Sequence, residues 1–216
     1  FDNPVSEDCA VPEVNYSLYR YTIAINHFNN QLYVLENCLE GEDPHYDMIV
    51  SILANRSLGS FTFIPGENET SNISDEEYME MVRMGKKHCY LGDVFQVVLS
   101  RQFRQDFKGD EFNVYRALRS INPSPYLFYF DYGGYRLFGS SPEAQLIIDQ
   151  DIAKINPIAG TFKRTGNDEK DRQLAIDLTN DEKENAEHVM LVDLARNDLG
   201  RNSDSVMVKT YREVQY

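Results

Sequence analysis

The stretch Pro157–Arg201 puts the tightest limit on how this chain can fold. An apolar run ends at a Gly160-Thr161 turn, Asn167–Thr179 has helical spacing, and a longer helix follows from about Asp181 to Asp198. In that second helix Glu184 and Glu187 are three residues apart and share a face, and His188, Leu191 and Ala195 continue the same stripe. Such a stripe is the one expected to meet a core, so carboxylates entering it need a reason. Two readings fit the spacing. In one the pair is a solvated face, repelling by a few tenths of a kcal/mol. In the other both carboxylates face a cleft, where two charges ~5 Å apart at an effective dielectric of ~20 repel by roughly 3 kcal/mol. That repulsion demands a cation or a shared proton, and carboxylate oxygens suit Mg²⁺.

Charge and cysteine usage narrow the partners. The chain has 216 residues and a net charge of −14. The length fits one large or two small domains with a substantial core. The acidity excludes nucleic acid as the main partner, because phosphate contacts need clustered Lys and Arg. An anionic substrate would need a local cation or the positive end of a helix. Cys9, Cys38 and Cys89 are widely spaced and form no C-x-x-C pair, which argues against a disulfide framework or zinc site and for a reducing, cytoplasmic setting. Nothing resembles a secretion signal, so the sequons at Asn15, Asn55, Asn68 and Asn72 read as chance matches. No apolar run approaches the ~18–20 residues of a membrane span, so no membrane partner is expected. Both ends read as cut: Phe1 is not an initiator Met, and Glu213–Tyr216 stops inside an expected strand.

Taken in order, residues 1–20 are an irregular approach rich in acids and Pro. Tyr19–Asn26 and Gln31–Asn37 read as strands around the turn His27–Asn30, and Pro44–Leu58 as a helix through Met48, Ile52 and Leu53. Phe61–Pro65 is a short extended run, and the polar Gly66–Asn72 reads as a loop and the best boundary, dividing residues 1–73 from 74–216. Ser74-Asp-Glu-Glu77 is a capping box for a helix that runs to about Tyr90 and ends at Gly92. Asp93–Phe103 reads as a strand of eleven residues, in which Gln96 is on spacing alone an exposed or edge-bonded side chain. Asp110–Ile121 is a helix that the prolines of Asn122–Pro125 stop. Tyr126–Tyr132 and Tyr135–Gly139 pair around Gly133-Gly134, and Ala144–Asp149 and Ile152–Ile158 make a second hairpin. Between the hairpins Gly139–Glu143 is a tight turn whose Glu143, in isolation, reads as solvated. A strand is expected from Val206. Hairpins and separated helices, without strict βαβ alternation, predict an α+β fold of layered, largely antiparallel sheets with helices packed outside. Dinucleotide, phosphate-loop and zinc-protease motifs are missing, and no internal repeat is visible.

Five motifs occur together and in order: Gly92–Arg101, Asn122–Tyr126, Gly139–Glu143, Pro157–Thr161 and Glu184–Asp198. On these the chain strongly resembles the chorismate-utilising enzymes, and within that family the anthranilate synthase component I branch. The firm resemblance covers about residues 74–216, which would be the N-terminal half of the chorismate-binding domain. Residues 1–73 resemble the end of the segment that precedes it, and the fold implied is part of the anthranilate synthase component I fold.

The resemblance implies roles residue by residue. Glu187 and Glu184 match one set of Mg²⁺ ligands, with Glu187 the closer and Glu184 acting through water. Gly160 and Thr161 match the turn against the substrate, where Gly permits close backbone approach and the Thr hydroxyl can bond a carboxylate or ether oxygen. Glu143, Gln96 and Thr161 make up the implied catalytic set. Glu143 matches the acid beside the departing 4-hydroxyl of chorismate, which as hydroxide would leave poorly without a proton. Gln96 stands where the water-adding isochorismate and salicylate synthases carry a Lys base, and a neutral Gln suits ammonia. Ala159 stands where aminodeoxychorismate synthases carry a nucleophilic Lys. The implied reaction adds ammonia at C2, expels the 4-hydroxyl and eliminates pyruvate, with ammonia coming from a glutamine amidotransferase subunit. Asn122, Pro123, Ser124, Pro125 and Tyr126 match half of a tryptophan feedback pocket whose Leu-Leu-Glu-Ser half is not in this sequence. The family's elimination-step His, second pair of metal-binding acids and Gly-rich substrate segment match nothing in the 216 residues, so the isolated chain is expected to be inactive. An aminodeoxychorismate synthase or isochorismate synthase relative is the alternative within the family, and a non-catalytic truncated module the alternative from another class.

Overall fold

The computed structural model describes residues 11–12, 14–57, 59 and 61–214. Readings that fall on Cys9, Leu58 and the last two residues lie outside them. The chain divides into two compact units, Phe1–Asn113 and Val114–Tyr216.

The first unit starts with the expected hairpin, β1 (Tyr21–Asn26) against β2 (Gln31–Glu36), paired antiparallel from Tyr21–Glu36 to Asn26–Gln31. Asn30 takes the left-handed conformation that closes the turn (φ 55°), which Asn tolerates better than most residues. Helix α1 (Tyr46–Ala54) is tied to this hairpin by Glu36, which accepts the His45 amide at 2.7 Å and Arg20 Nε at 3.1 Å. Next come β3 (Phe63–Ser71), α2 (Asp75–Leu91) and β4 (Phe103–Gly109), with β3 and β4 antiparallel and a bulge between Pro65 and Glu69. At the bulge Gly66 lies so close to β4 that a Cβ would sit 2.6 Å from the Asp106 carbonyl oxygen.

Helix α2 begins and ends as its sequence requires. The Glu77 amide donates to Ser74 Oγ at 3.2 Å and the Ser74 amide donates to the Glu77 carboxylate at 2.7 Å, completing a capping box. The backbone bond from Ser74 holds the Glu77 carboxyl below its ordinary value. Gly92 closes the helix at φ 79°, a conformation that costs a Cβ-bearing residue about 1–2 kcal/mol.

Two readings of this unit need correction. Gly66–Asn72 is not a loop: its residues through Ser71 belong to β3, because β4 supplies the ladder bonds that their polar composition does not advertise. Asp93–Phe103 is not a strand, apart from Phe103 itself, which opens β4. Strand propensity is present there, but no neighbouring strand pairs with residues 93–102 among those described.

The second unit takes in most of α3 (Phe112–Ile121), then β5 (Tyr126–Asp131) and β6 (Arg136–Ser141), β7 (Ile147–Asp149) and β8 (Ile152–Lys154), α4 (Asp168–Asn180) and α5 (Glu182–Gly200). The β5–β6 hairpin turns at Gly133 (φ 80°) and carries an aromatic cluster. Tyr115 of α3 contacts Tyr129 and Phe138 at centroid distances of 5.4 and 6.3 Å, and Tyr129 stacks on Phe138 at 5.7 Å. Each such pair adds about 0.5–1.5 kcal/mol beyond its burial. Phe128 lies over its cross-strand partner Gly139, where a Cβ would be 2.7 Å from the ring. The strand expected from Val206 is a third correction: residues 206–214 form no strand, and their anchoring bonds go to side chains of α5.

The fold is thus the predicted mixture of helices and antiparallel hairpins. Among the described residues there are four sheets, each two-stranded. The substantial core expected from chain length is not there: among the described residues only Ala175 and Asp171 are buried. A hairpin has two faces and one neighbour at most, so Ile23, Ile25, Ile148 and Ile152 remain exposed.

Replacing Ser74 with Ala should remove one half of the capping box and lower stability by about 1 kcal/mol. Urea unfolding followed by far-ultraviolet circular dichroism measures this, and an unshifted midpoint would show that the box is not a stabilising element.

Candidate active site

A cleft of about 680 Å³ opens in the second unit, within the range of roughly 300–1,000 Å³ typical of small-molecule sites. Its walls come from four places: the β5–β6 end, the loop between β8 and α4, the last turn of α4 at Leu178 and Thr179, and α5 with the segment 210–214.

Glu143 arrives just after β6. The Ser141 hydroxyl donates to the Glu143 carbonyl at 2.9 Å and accepts the Glu143 amide at 3.2 Å, closing a local ring that fixes the turn. Ser140 Oγ donates to the Asn122 carbonyl at 2.7 Å and lies 2.8 Å from Ser124 Oγ. One hydroxyl hydrogen cannot serve both, so Ser124 donates in return. These bonds, with the Tyr126–Ser141 register, set the Asn122–Tyr126 turn beside the Glu143 turn.

Gly160 has φ 70°, where a Cβ would be strained, and a Cβ there would also meet Glu184 Oε2 and Leu178 Cδ1, each at 2.8 Å. The carboxylate of Glu184 therefore rests on the glycine Cα. Its backbone is placed by Asp181, which ends α4 and caps α5, accepting the Glu184 amide at 2.9 Å. The side chain is about three-quarters buried, with the exposed ammonium of Lys183 at 3.6 Å from Oε1.

Asp171 of α4 fixes the loop that leaves Thr161. It is 2% exposed, and it accepts the Thr165 amide at 2.8 Å, the Thr165 hydroxyl at 2.7 Å and Arg164 Nε at 3.5 Å. The backbone bond from Thr165, followed by its hydroxyl, holds this carboxyl below the usual Asp value.

The remaining wall is hooked to α5. His188 Nε2 lies 2.7 Å from the Tyr211 carbonyl oxygen, which can only accept, so Nε2 carries the hydrogen. The two rings meet edge to face at 5.7 Å. Arg212 donates to Asn185 Oδ1, and Asn185 Nδ2 donates to the Thr179 carbonyl at 3.0 Å.

The cleft brings together Glu143, Gly160, Thr161, Glu184, Pro125 and Tyr126. Glu187 is half-buried one turn along α5 and is not among the lining residues. Asn122, Pro123 and Ser124 belong to the adjoining turn without lining the cleft, and Gln96 is an exposed residue of the first unit. Ala159 lines the cleft, so its position offers no amine. Sequence reasoning overlooked Arg164, Asn185 and Arg212; the available signal was two guanidiniums flanking the motifs of an acidic chain. No group of three or more His, Cys, Asp or Glu side chains able to hold a metal occurs among the described residues. Two carboxylates one turn apart nevertheless fit Mg²⁺, which takes one or two carboxylates and completes its shell with water and substrate oxygens.

The pH dependence of the loop follows from Asp171. Its folded-state value lies below the ~3.9 of an unfolded chain, so its stabilisation is complete above ~3.9 and is lost as pH falls through the lower folded-state value. Carboxyl NMR titration should give Asp171 a midpoint below ~3.9, and a midpoint at or above that value would contradict the bonding described.

A family profile described as chorismate binding enzyme matches residues 3–216. Anthranilate synthase component 1 of Acetivibrio thermocellus is 36% identical over 232 aligned residues, covering 99% of this chain and 47% of that protein. The Aquifex aeolicus protein of the same name is 46% identical over 151 residues, 69% of this chain and 31% of its own. The crystal structure of anthranilate synthase component I from Streptococcus pneumoniae superposes with a TM-score of 0.73 at 34% identity, covering 92% of this chain and 46% of that one. The chain spans less than half the length of each of these relatives.

Proposed function

This chain belongs to the family of chorismate-binding enzymes, and from that membership we propose that it supplies part of the active site of an anthranilate synthase component I. The reaction is chorismate plus ammonia to anthranilate, pyruvate and water, a lyase reaction that opens tryptophan biosynthesis. The observation that carries this reading is the gathering of Glu143, Gly160, Thr161 and Glu184 around one cleft.

In this reading Thr161 and the Gly160 backbone bind substrate oxygens, and Glu143 delivers a proton to the departing 4-hydroxyl oxygen. Gln96 orients ammonia at C2 without acting as a base. Glu184 and Glu187 hold Mg²⁺, which supplies positive charge for a substrate carboxylate in a chain of net charge −14. Arg212 adds to that charge at the cleft wall, whereas the Arg164 guanidinium there is paired with Asp171. Ala159 at the cleft disfavours the aminodeoxychorismate reading, which uses a lysine amine there. The turn Asn122–Tyr126 contributes to a tryptophan-binding feedback site, and a glutamine amidotransferase subunit provides the ammonia. Division of the chain into a preceding segment, 1–73, and a chorismate-binding portion, 74–216, belongs to the same proposal. So does a cytoplasmic, reducing location, which suits the free thiols of Cys38 and Cys89; no helix among the described residues is long and apolar enough to cross a membrane.

Isothermal titration with chorismate tests the reading. Binding should strengthen by about tenfold or more on adding Mg²⁺, a coupling of roughly 1.4 kcal/mol. Glu187→Ala should erase that Mg²⁺ effect while leaving the circular dichroism unchanged. Equal affinity with and without Mg²⁺, or an undiminished metal effect in the variant, would remove the ligand assignment. In any preparation that turns over, Gln96→Lys should depress ammonium-dependent anthranilate fluorescence by about tenfold or more, the loss expected from one misplaced catalytic contact. Unchanged formation would make Gln96 a structural residue.

A further inference from the structure

We propose that Gly160 is a positioning residue for Glu184: its missing side chain leaves the seat that holds the Glu184 carboxylate at the cleft wall. The Gly160 backbone keeps the role toward substrate given above. The effect on function rests on the reading in which Glu184 helps to hold Mg²⁺, whereas the seat itself does not depend on it.

Three elements converge on the Gly160 Cα. The loop between β8 and α4 supplies the glycine, the last turn of α4 supplies Leu178, and the first turn of α5 supplies Glu184. Built on that backbone, a Cβ would stand 2.8 Å from Glu184 Oε2, 2.8 Å from Leu178 Cδ1 and 3.5 Å from Glu184 Cδ. The two shorter separations are well inside van der Waals contact. Both crowded atoms end flexible side chains, so a methyl at 160 would push the carboxylate and the leucine tip aside and leave the backbone in place. Little else holds that carboxylate. Asp181 fixes the Glu184 amide, but the side chain, 25% exposed, accepts no hydrogen bond among the described residues and has only the exposed Lys183 ammonium 3.6 Å from Oε1. A pair as exposed as this one contributes at most about 1 kcal/mol. Contact with Gly160 therefore decides where the oxygens of Glu184 sit.

Gly166, on the same loop, shows what is particular to Gly160. Its φ is 78° against 70° at Gly160, yet a Cβ there would meet nothing within 4 Å. A left-handed backbone costs a Cβ-bearing residue about 1–2 kcal/mol at either site. Collision with Glu184 belongs to Gly160 alone. Binding groups must be held to within about 0.5 Å of their productive geometry, and a carboxylate displaced by a methyl would miss that tolerance.

Gly160→Ala and Gly166→Ala, each in the full chain, separate the two costs. The first measurement is the carboxyl-carbon NMR resonance of Glu184 without ligand, and the second is isothermal titration of chorismate with and without Mg²⁺. Gly160→Ala should shift the resonance and cut the Mg²⁺ strengthening from about tenfold to about twofold or less. Gly166→Ala should leave both unchanged. Should circular dichroism show Gly160→Ala unfolded, the double variant Gly160→Ala with Leu178→Ala removes the other crowded atom and takes its place. An unmoved resonance, or equal effects from the two glycines, would overturn the proposal. A wild-type chain without any Mg²⁺ effect sinks the metal reading above and this proposal with it. An Mg²⁺ effect in the wild type that Gly160→Ala preserves sinks this proposal alone.

Discussion

A carboxylate withdrawn from water must have its oxygens bonded or it destabilises whatever holds it. Asp171 meets that demand with the amide and hydroxyl of Thr165 and with Arg164, and it is one of only two buried residues among those described. The second unit depends on this. The loop from Gly160 to Asn167 has no regular structure, and Asp171, together with the Asn167 cap on the Lys170 amide, ties its far end to α4. The same carboxylate reaches Arg164, which lines the cleft. A structural ion pair and a cleft wall are therefore one arrangement.

Local signals were legible in the sequence wherever the deciding interaction lay within a few residues. The capping box of Ser74 and Glu77, the left-handed Gly92 and the Gly133 turn all appear where their residues place them. What could not be read was pairing at a distance. Phe63–Ser71 looks like half strand and half loop because its ladder bonds come from residues some forty positions away, Phe103–Gly109. Val94–Leu99 has strand composition and no strand partner. Propensity describes what a segment can do, and a neighbour decides whether it does.

The cleft shows the same division. Glu143, Gly160, Thr161 and Glu184 were identified by the motif resemblance, since spacing alone left Glu143 a solvated turn residue and the Glu184–Glu187 pair open between two readings, and the structure gathers all four. Arg164, Asn185 and Arg212 were not, since their contribution comes from bonds between loop and helix that no local pattern encodes. Gln96 and Glu187 are not among the lining residues of this cleft, and their roles rest on the motif resemblance alone.

Asp181 is the whole of the connection between α4 and α5, ending one helix and capping the next through the amide of Glu184. A joint one residue long has no slack. Any rotation of α4 reaches the first turn of α5 undiluted, and the residue it reaches first is the one whose carboxylate rests on Gly160. The cleft thus has a lever built into its frame: strain applied to the outer surface of α4, far from any ligand, would be delivered as a displacement of a single carboxylate.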